Sequence, residues 1–188
     1  MMLADSLRCR VRAMNTLWDW AAADMTLEQI NHHERPGVLP VAFYFVHVMR
    51  GQDDAVSHHF LHEAPLWTRG HWAARMGVTT KRYARGEEVA LMETVRMEDL
   101  AAWMAYQAAV ITQTTLVLDG LTDTLLAKVA IPALPRTMEK SYCSLVVGIG
   151  NPVRCLDVVE CFIYQHGLRH LGEVEHGRAL VGLGGLTG

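Results

Sequence analysis

Residues 163–180 read IYQHGLRHLGEVEHGRAL. Steps of four and three from Val159 pass through Ile163, His166, His170, Glu173, Gly177 and Leu180, a spacing that predicts the buried seam of a helix. The seam is apolar at both ends and polar at three consecutive positions in its middle. His166 and His170 stand one turn apart on one face, so both imidazoles reach a common point. Burying two imidazoles and a carboxylate in a helical core is costly unless something satisfies them. A metal ion does so directly. Taken alone, the pair is a weak motif, more often produced by two hydrogen-bonded histidines at a helix surface or core edge.

Outward from this stretch, Asn151 and Pro152 read as N-cap and first turn of the same helix, and Gly182, Gly184 and Gly185 stop it after Val181. Upstream, Leu7, Val11, Met14, Trp18 and Ala21 form one stripe of a helix over about Asp5 to Asp24. Thr26 and Gln29 make a capping box for a short turn. A second helix runs from near Pro40 to about His62, and a third from about Met97 to Leu121. The stretch from 64 to 96, with Pro65, Gly70, Gly77 and Gly86, reads as a long connection holding one short helix. Lys128 to Ile131 reads as a short extended segment. Four long helices in 188 residues predict an all-α, single-domain four-helix bundle over 1–188 with long crossover connections.

Composition narrows the function. With 51% hydrophobic and 20% charged residues the chain is of globular type, and a net charge of -3 without basic runs gives no case for nucleic acid or an anionic membrane. The apolar stretch Val38 to Met49 is too short to span a bilayer. The charged N-terminus has no apolar core of a signal peptide. Cys9, Cys143, Cys155 and Cys161 lack paired spacing and read as reduced core residues, from which a cytoplasmic location is expected.

A third imidazole comes from AFYFVHVMRGQDD, residues 42–54, where His47 sits in an apolar run. Gly51, one turn on, leaves space beside it, which suits a metal site with an open position. Asp54 and His58 share this face at roughly 10 and 16 Å along the axis, too far to bind the same ion, although Asp54 could line the pocket. Arg50 is a candidate for holding a substrate carboxylate, with a surface arginine as the alternative. Glu173 reads as a partner that orients a ligating histidine. The remaining histidines (His32, His33, His59, His62, His71, His176) read mostly as solvated. Gly167 stands where a zinc protease needs glutamate, excluding that mechanism, and a single ExxH set, Glu173 to His176, makes a di-iron centre a poor reading.

With His47 on the second helix and HGLRHLGE on the fourth, the sequence resembles the DinB-like superfamily. MTLEQINHHERPGVLPVAFYFVHVMRGQDD is similar to that family's proline-containing loop followed by the helix of the first histidine. HLGEVEHGRALVGL is similar to its second histidine followed by Gly and Glu, then arginine. The superfamily includes thiol-dependent transferases and mycothiol-dependent maleylpyruvate isomerase. The resemblance implies a bundle in which His47, His166 and His170 form a facial set on one divalent ion, zinc or nickel. It also implies a homodimer packed through helices, a small-molecule substrate and a low-molecular-weight thiol cosubstrate. The resulting expectation is a metal-dependent thiol S-transferase acting on a small electrophile. A metal-dependent hydrolase and a non-catalytic stress-response or ligand-binding protein are the alternatives. The 64–96 stretch, with Trp67, His71 and Trp72, departs from the family pattern and is expected to cover the pocket.

Overall fold

Leu7, Val11, Met14, Trp18 and Ala21 are buried along one side of α1 (Leu3–Ala23) in the computed structural model, which describes residues 3–78 and 89–187. Three further long helices pack with it: α2 (Val41–Val56), α3 (Leu100–Asp119) and α4 (Gln165–Leu180). Local chemistry sets their ends. The Thr26–Gln29 capping box is present on the short helix Leu27–Asn31, and Pro40 is the N-cap of α2. The Asp99 carboxylate accepts from the Ala102 N–H at 2.9 Å and starts α3. Asn31 makes α3 start later than Met97, because its side chain takes both the Met97 N–H (3.0 Å) and the Met97 carbonyl (2.7 Å). After α4, Val181 is the C-cap and Gly182 has φ +81.

Pairwise contacts fix the topology. Arg8 donates to the Leu118 carbonyl and Gln107 to Asp19, so α1 and α3 are antiparallel. Phe45 stacks on Trp103 and Gln52 donates to Thr114, so α2 and α3 are parallel. Arg10 meets Glu160 and Arg178 meets Asp24, so α1 and the α4 run are parallel; His59 against Phe162 and His47 against His166 make α2 and α4 antiparallel. The order round the bundle is therefore α1, α3, α2, α4. This is the all-α four-helix bundle with long crossovers that the sequence predicts. Because α2 and α3 run the same way, the link between them is a crossover rather than a tight hairpin. Aromatic rings tie three helices together: Trp18 meets Phe45 edge-on, Phe45 stacks on Trp103 at 5.3 Å, and Tyr106 follows. Each such contact adds about 1 kcal/mol beyond burial.

Several expectations are corrected. The 62–99 connection holds three short helices among the described residues (Leu66–Arg69, Trp72–Arg75, Val89–Met92) rather than one; residues 79–88, with Gly86, lie outside them. Asn151 and Pro152 do not start the last helix. Val153–Arg154 (β2) pairs antiparallel with Val129–Ile131 (β1), the extended segment foreseen at Lys128–Ile131. Arg154 is the N-cap, its N–H donating to Asp157 at 2.8 Å, while Asn151 donates to the Val147 carbonyl. Cys143, Cys155 and Cys161 are buried thiols, whereas Cys9, on the outer face of α1, is exposed.

The seam of the last helix is also displaced. A π-helical run, Val158–Tyr164, precedes α4 and inserts an extra residue into the helical phase. The buried line therefore follows Val159, Ile163, Gly167, Leu171, Val174 and Arg178. His166 and His170 lie one residue round from it, half-buried, and Glu173 is exposed. No helix among the described residues is long and apolar enough to cross a membrane.

Candidate metal centre

α2 and α4 approach closely enough for their imidazoles to meet because glycines stand where they touch. A Cβ at Gly51 would lie 3.1 Å from His166 Cε1 and 3.3 Å from its Nδ1, and one at Gly177 would lie 2.5 Å from Val41 Cγ2; Gly167 gives α4 the same clearance against Met14 of α1. The space foreseen beside His47 is thus filled by the His166 ring. One ligating nitrogen from each of His47, His166 and His170 lies within 4.8 Å of the others. Nε2 of His47 and Nε2 of His166 are 3.0 Å apart. Two nitrogens each about 2.1 Å from one ion stand about 3.0 Å apart at a right angle and about 3.4 Å apart at a tetrahedral one, so the spacing is close to that around a shared first-row divalent cation. The three rings are mutually near-perpendicular, with centroids 4.7–5.0 Å apart.

Neighbouring groups fix the rings. Glu173 makes a short hydrogen bond to His170 Nδ1, leaving Nε2 as the free nitrogen of that ring. Phe43, one turn before His47, stacks on it at 5.2 Å and 11°, and Tyr44 tilts against His170 at 5.6 Å. Burial first, then the positive potential of His170 and Arg50, pushes the His47 pKa down to about 4, with Glu173 opposing. His47 is therefore neutral at pH 7 and has a lone pair to offer. Burial, helped by Glu173, pushes the Tyr44 phenol up to about 12. It stays protonated as a donor.

Arg50 and Asp54 lie on α2 outside the cluster of ligand nitrogens. The Arg50 guanidinium sits 4.4 Å over the Trp67 ring, which places the 62–99 connection against this flank of the site. Trp72 is buried against Tyr106 instead, and His71 is exposed in a left-handed conformation, so neither serves as the expected cover. Of the histidines expected in solvent, His33 is half-buried 3.4 Å from Glu93, and His59 is half-buried at the far end of α2.

Two positions that organise the region escape a reading by spacing. Asp53 is fully buried and accepts from the Leu66 and Trp67 N–H groups (2.9 and 2.8 Å), the Ser57 hydroxyl and the Tyr106 hydroxyl (3.0 Å each). It pins the turn carrying Trp67. Arg178 is buried at the end of the α4 seam, donating to both Asp24 oxygens and to the Ala21 carbonyl. The doublet Asp53–Asp54 on an otherwise apolar helix is a signal for the first; a charged residue on the corrected seam is the signal for the second.

No family model and no curated protein matches the sequence. Among solved structures, the chain resembles a conserved protein from Enterococcus faecalis with a TM-score of 0.74 and 18% identity, over 96% of this chain and 98% of that one. At this identity the likeness concerns the fold.

Proposed function

We propose that the chain is a DinB-like metal-dependent enzyme, most simply a thiol S-transferase acting on a small electrophile, with His47, His166 and His170 holding one divalent ion. The observation that carries this reading is the convergence of three imidazole nitrogens, one kept neutral by burial and one hydrogen-bonded to a carboxylate on its far side. Three neutral protein ligands match an open site better than a closed structural one. A zinc or nickel ion bound there supplies positive charge that lowers the pKa of a coordinated thiol or water. Glu173 holds His170 in one tautomer and orientation. Arg50, braced on Trp67 beside the cluster, supplies a cation for an anionic group of the substrate. Buried Cys143, Cys155 and Cys161 belong to other parts of the fold, so the thiol comes from a low-molecular-weight cosubstrate.

The test is elemental analysis of wild-type protein beside His47→Ala and His170→Ala. One equivalent of metal in the wild type, lost in both variants, is expected. The cobalt-substituted protein should then gain a sulfur-to-metal charge-transfer band when a small thiol is added. Metal without that band would favour the hydrolytic or the non-catalytic alternative. Protein that takes up neither zinc nor nickel would overturn the metal reading altogether. Light scattering of the same sample reads the homodimer that belongs to this proposal.

A further inference from the structure

A second cavity opens at the other end of α2, about 20 Å along the helix from His47. It has a volume of about 410 Å³ and lies between the π-helical turn Ser57–Leu61, the last turns of α3 and strand β1. That volume is within the range of small-molecule sites, roughly 300–1,000 Å³.

Its walls are apolar. Phe60, Leu116, Val117, Leu125 and Val129 line it, with the buried Cys155 at its side. Three large apolar side chains at this one place face solvent, Leu61 at 37%, Val129 at 56% and Leu116 at 70% exposure. Such a concentration marks a binding surface more often than a passive one. Lys128 is the cation lining the cavity, beside the imidazoles of His59 and His62, and no Asp or Glu lines it among the described residues. Burial, then His58 and His62, lowers the His59 pKa, so that ring meets a ligand as a neutral hydrogen-bond donor.

The backbone is shaped to present these groups. A π-helical turn ends the α2 run just where the cavity begins, a departure frequent at functional sites. His62 then closes the turn at φ 56, ψ 40, a left-handed position that glycine would occupy without strain. A histidine there puts an imidazole at the rim. Lys128 is fixed from the opposite side, because its carbonyl accepts the Cys155 N–H at 2.8 Å beside the β1–β2 pair.

We propose that this cavity is a second ligand site, distinct from the histidine cluster, for a small amphipathic carboxylate. The apolar body lies along Leu116, Val117 and Val129, and the carboxylate meets the Lys128 ammonium and the imidazoles of His59 and His62.

The test titrates decanoate, and separately the neutral decanamide, into the whole protein, followed by calorimetry and methyl NMR. Saturable one-to-one binding is expected, with shifts confined to the Leu116, Val117, Leu125 and Val129 methyls and decanoate at least ten-fold tighter than decanamide. Lys128→Ala, at an exposed position, should weaken decanoate about ten-fold, and Lys128→Arg should restore most of it. His47→Ala should leave binding unchanged, which keeps this result separate from the metal reading. Non-saturable partitioning, equal affinity for the amide, indifference to Lys128→Ala, or loss of binding in His47→Ala would each overturn the proposal.

Discussion

Nε2 of His47 and Nε2 of His166 lie 3.0 Å apart, although 119 positions separate the residues in the chain. Gly51 makes this approach possible, since any side chain at that position would press on the His166 ring.

Gly51→Ala should therefore separate stability from metal affinity. Alanine is the better helix former by about 1 kcal/mol, so the metal-free protein should melt at an unchanged or slightly higher temperature. The displaced imidazole should weaken zinc binding about ten-fold or more, measured by competition with a chelating dye. Unchanged affinity would remove His166 from the ligand set.

Acid should act on the metal-free protein through His47. Its pKa is lowered from 6.5 to about 4 in the fold, so between those values the unfolded chain binds a proton that the folded chain does not. The residue's contribution is fully present above about pH 6.5 and is lost as pH falls through this window, by on the order of 3 kcal/mol. Urea midpoints of wild type and His47→Gln between about pH 7 and pH 4 check it. The two proteins should diverge only if His47 titrates as described.

Replacing Glu173 tests the orientation of His170. Glu173→Gln keeps a hydrogen-bonding group, while Glu173→Ala removes it; the expected loss of metal affinity is about ten-fold or less for the first and up to about 100-fold for the second. Glu173 is half-exposed, so neither should move the melting temperature of the metal-free protein by much.

Much of this was readable from residue order, and the failures have one kind of cause. The α1 stripe, the Thr26 cap, the Gly182 stop and the one-turn spacing of His166 and His170 rest on periodicity and local hydrogen bonding, which act over a few residues. The seam of α4 was misplaced by one position because a π-helical run changes the phase, and nothing in VVECFIY announces it. Asn151–Pro152 has the chemistry of a helix start, but the β1–β2 pairing, made with residues more than twenty positions away, claims the backbone just beyond it. Asp53 and Asp54 are adjacent and chemically identical. Only the distant Tyr106 and the Leu66–Trp67 turn decide that the first is buried.

Arg178 and Asp24 should respond unequally to substitution. The Arg178 side chain is 4% exposed and Asp24 56% exposed. Arg178→Met strands the Ala21 carbonyl and uncouples the end of α4 from α1, at an expected cost of about 2–4 kcal/mol in urea unfolding. Asp24→Asn keeps a hydrogen-bond acceptor and should cost under about 1 kcal/mol. The Arg178 hydrogen bond holds the Asp24 pKa down, so its smaller contribution is present above the ordinary carboxylate range and fades as pH falls below it.

The placement of the imidazoles, one on α2 and two on α4, has a consequence for the order of events in a cell. A ribosome that has released α1, α2 and α3 has delivered a single member of the cluster, His47, and the next, His166, lies 119 positions after it. An ion that needs all three cannot settle on the emerging polypeptide. Its capture would act as a late seal, retaining only those chains whose final helix has seated in register.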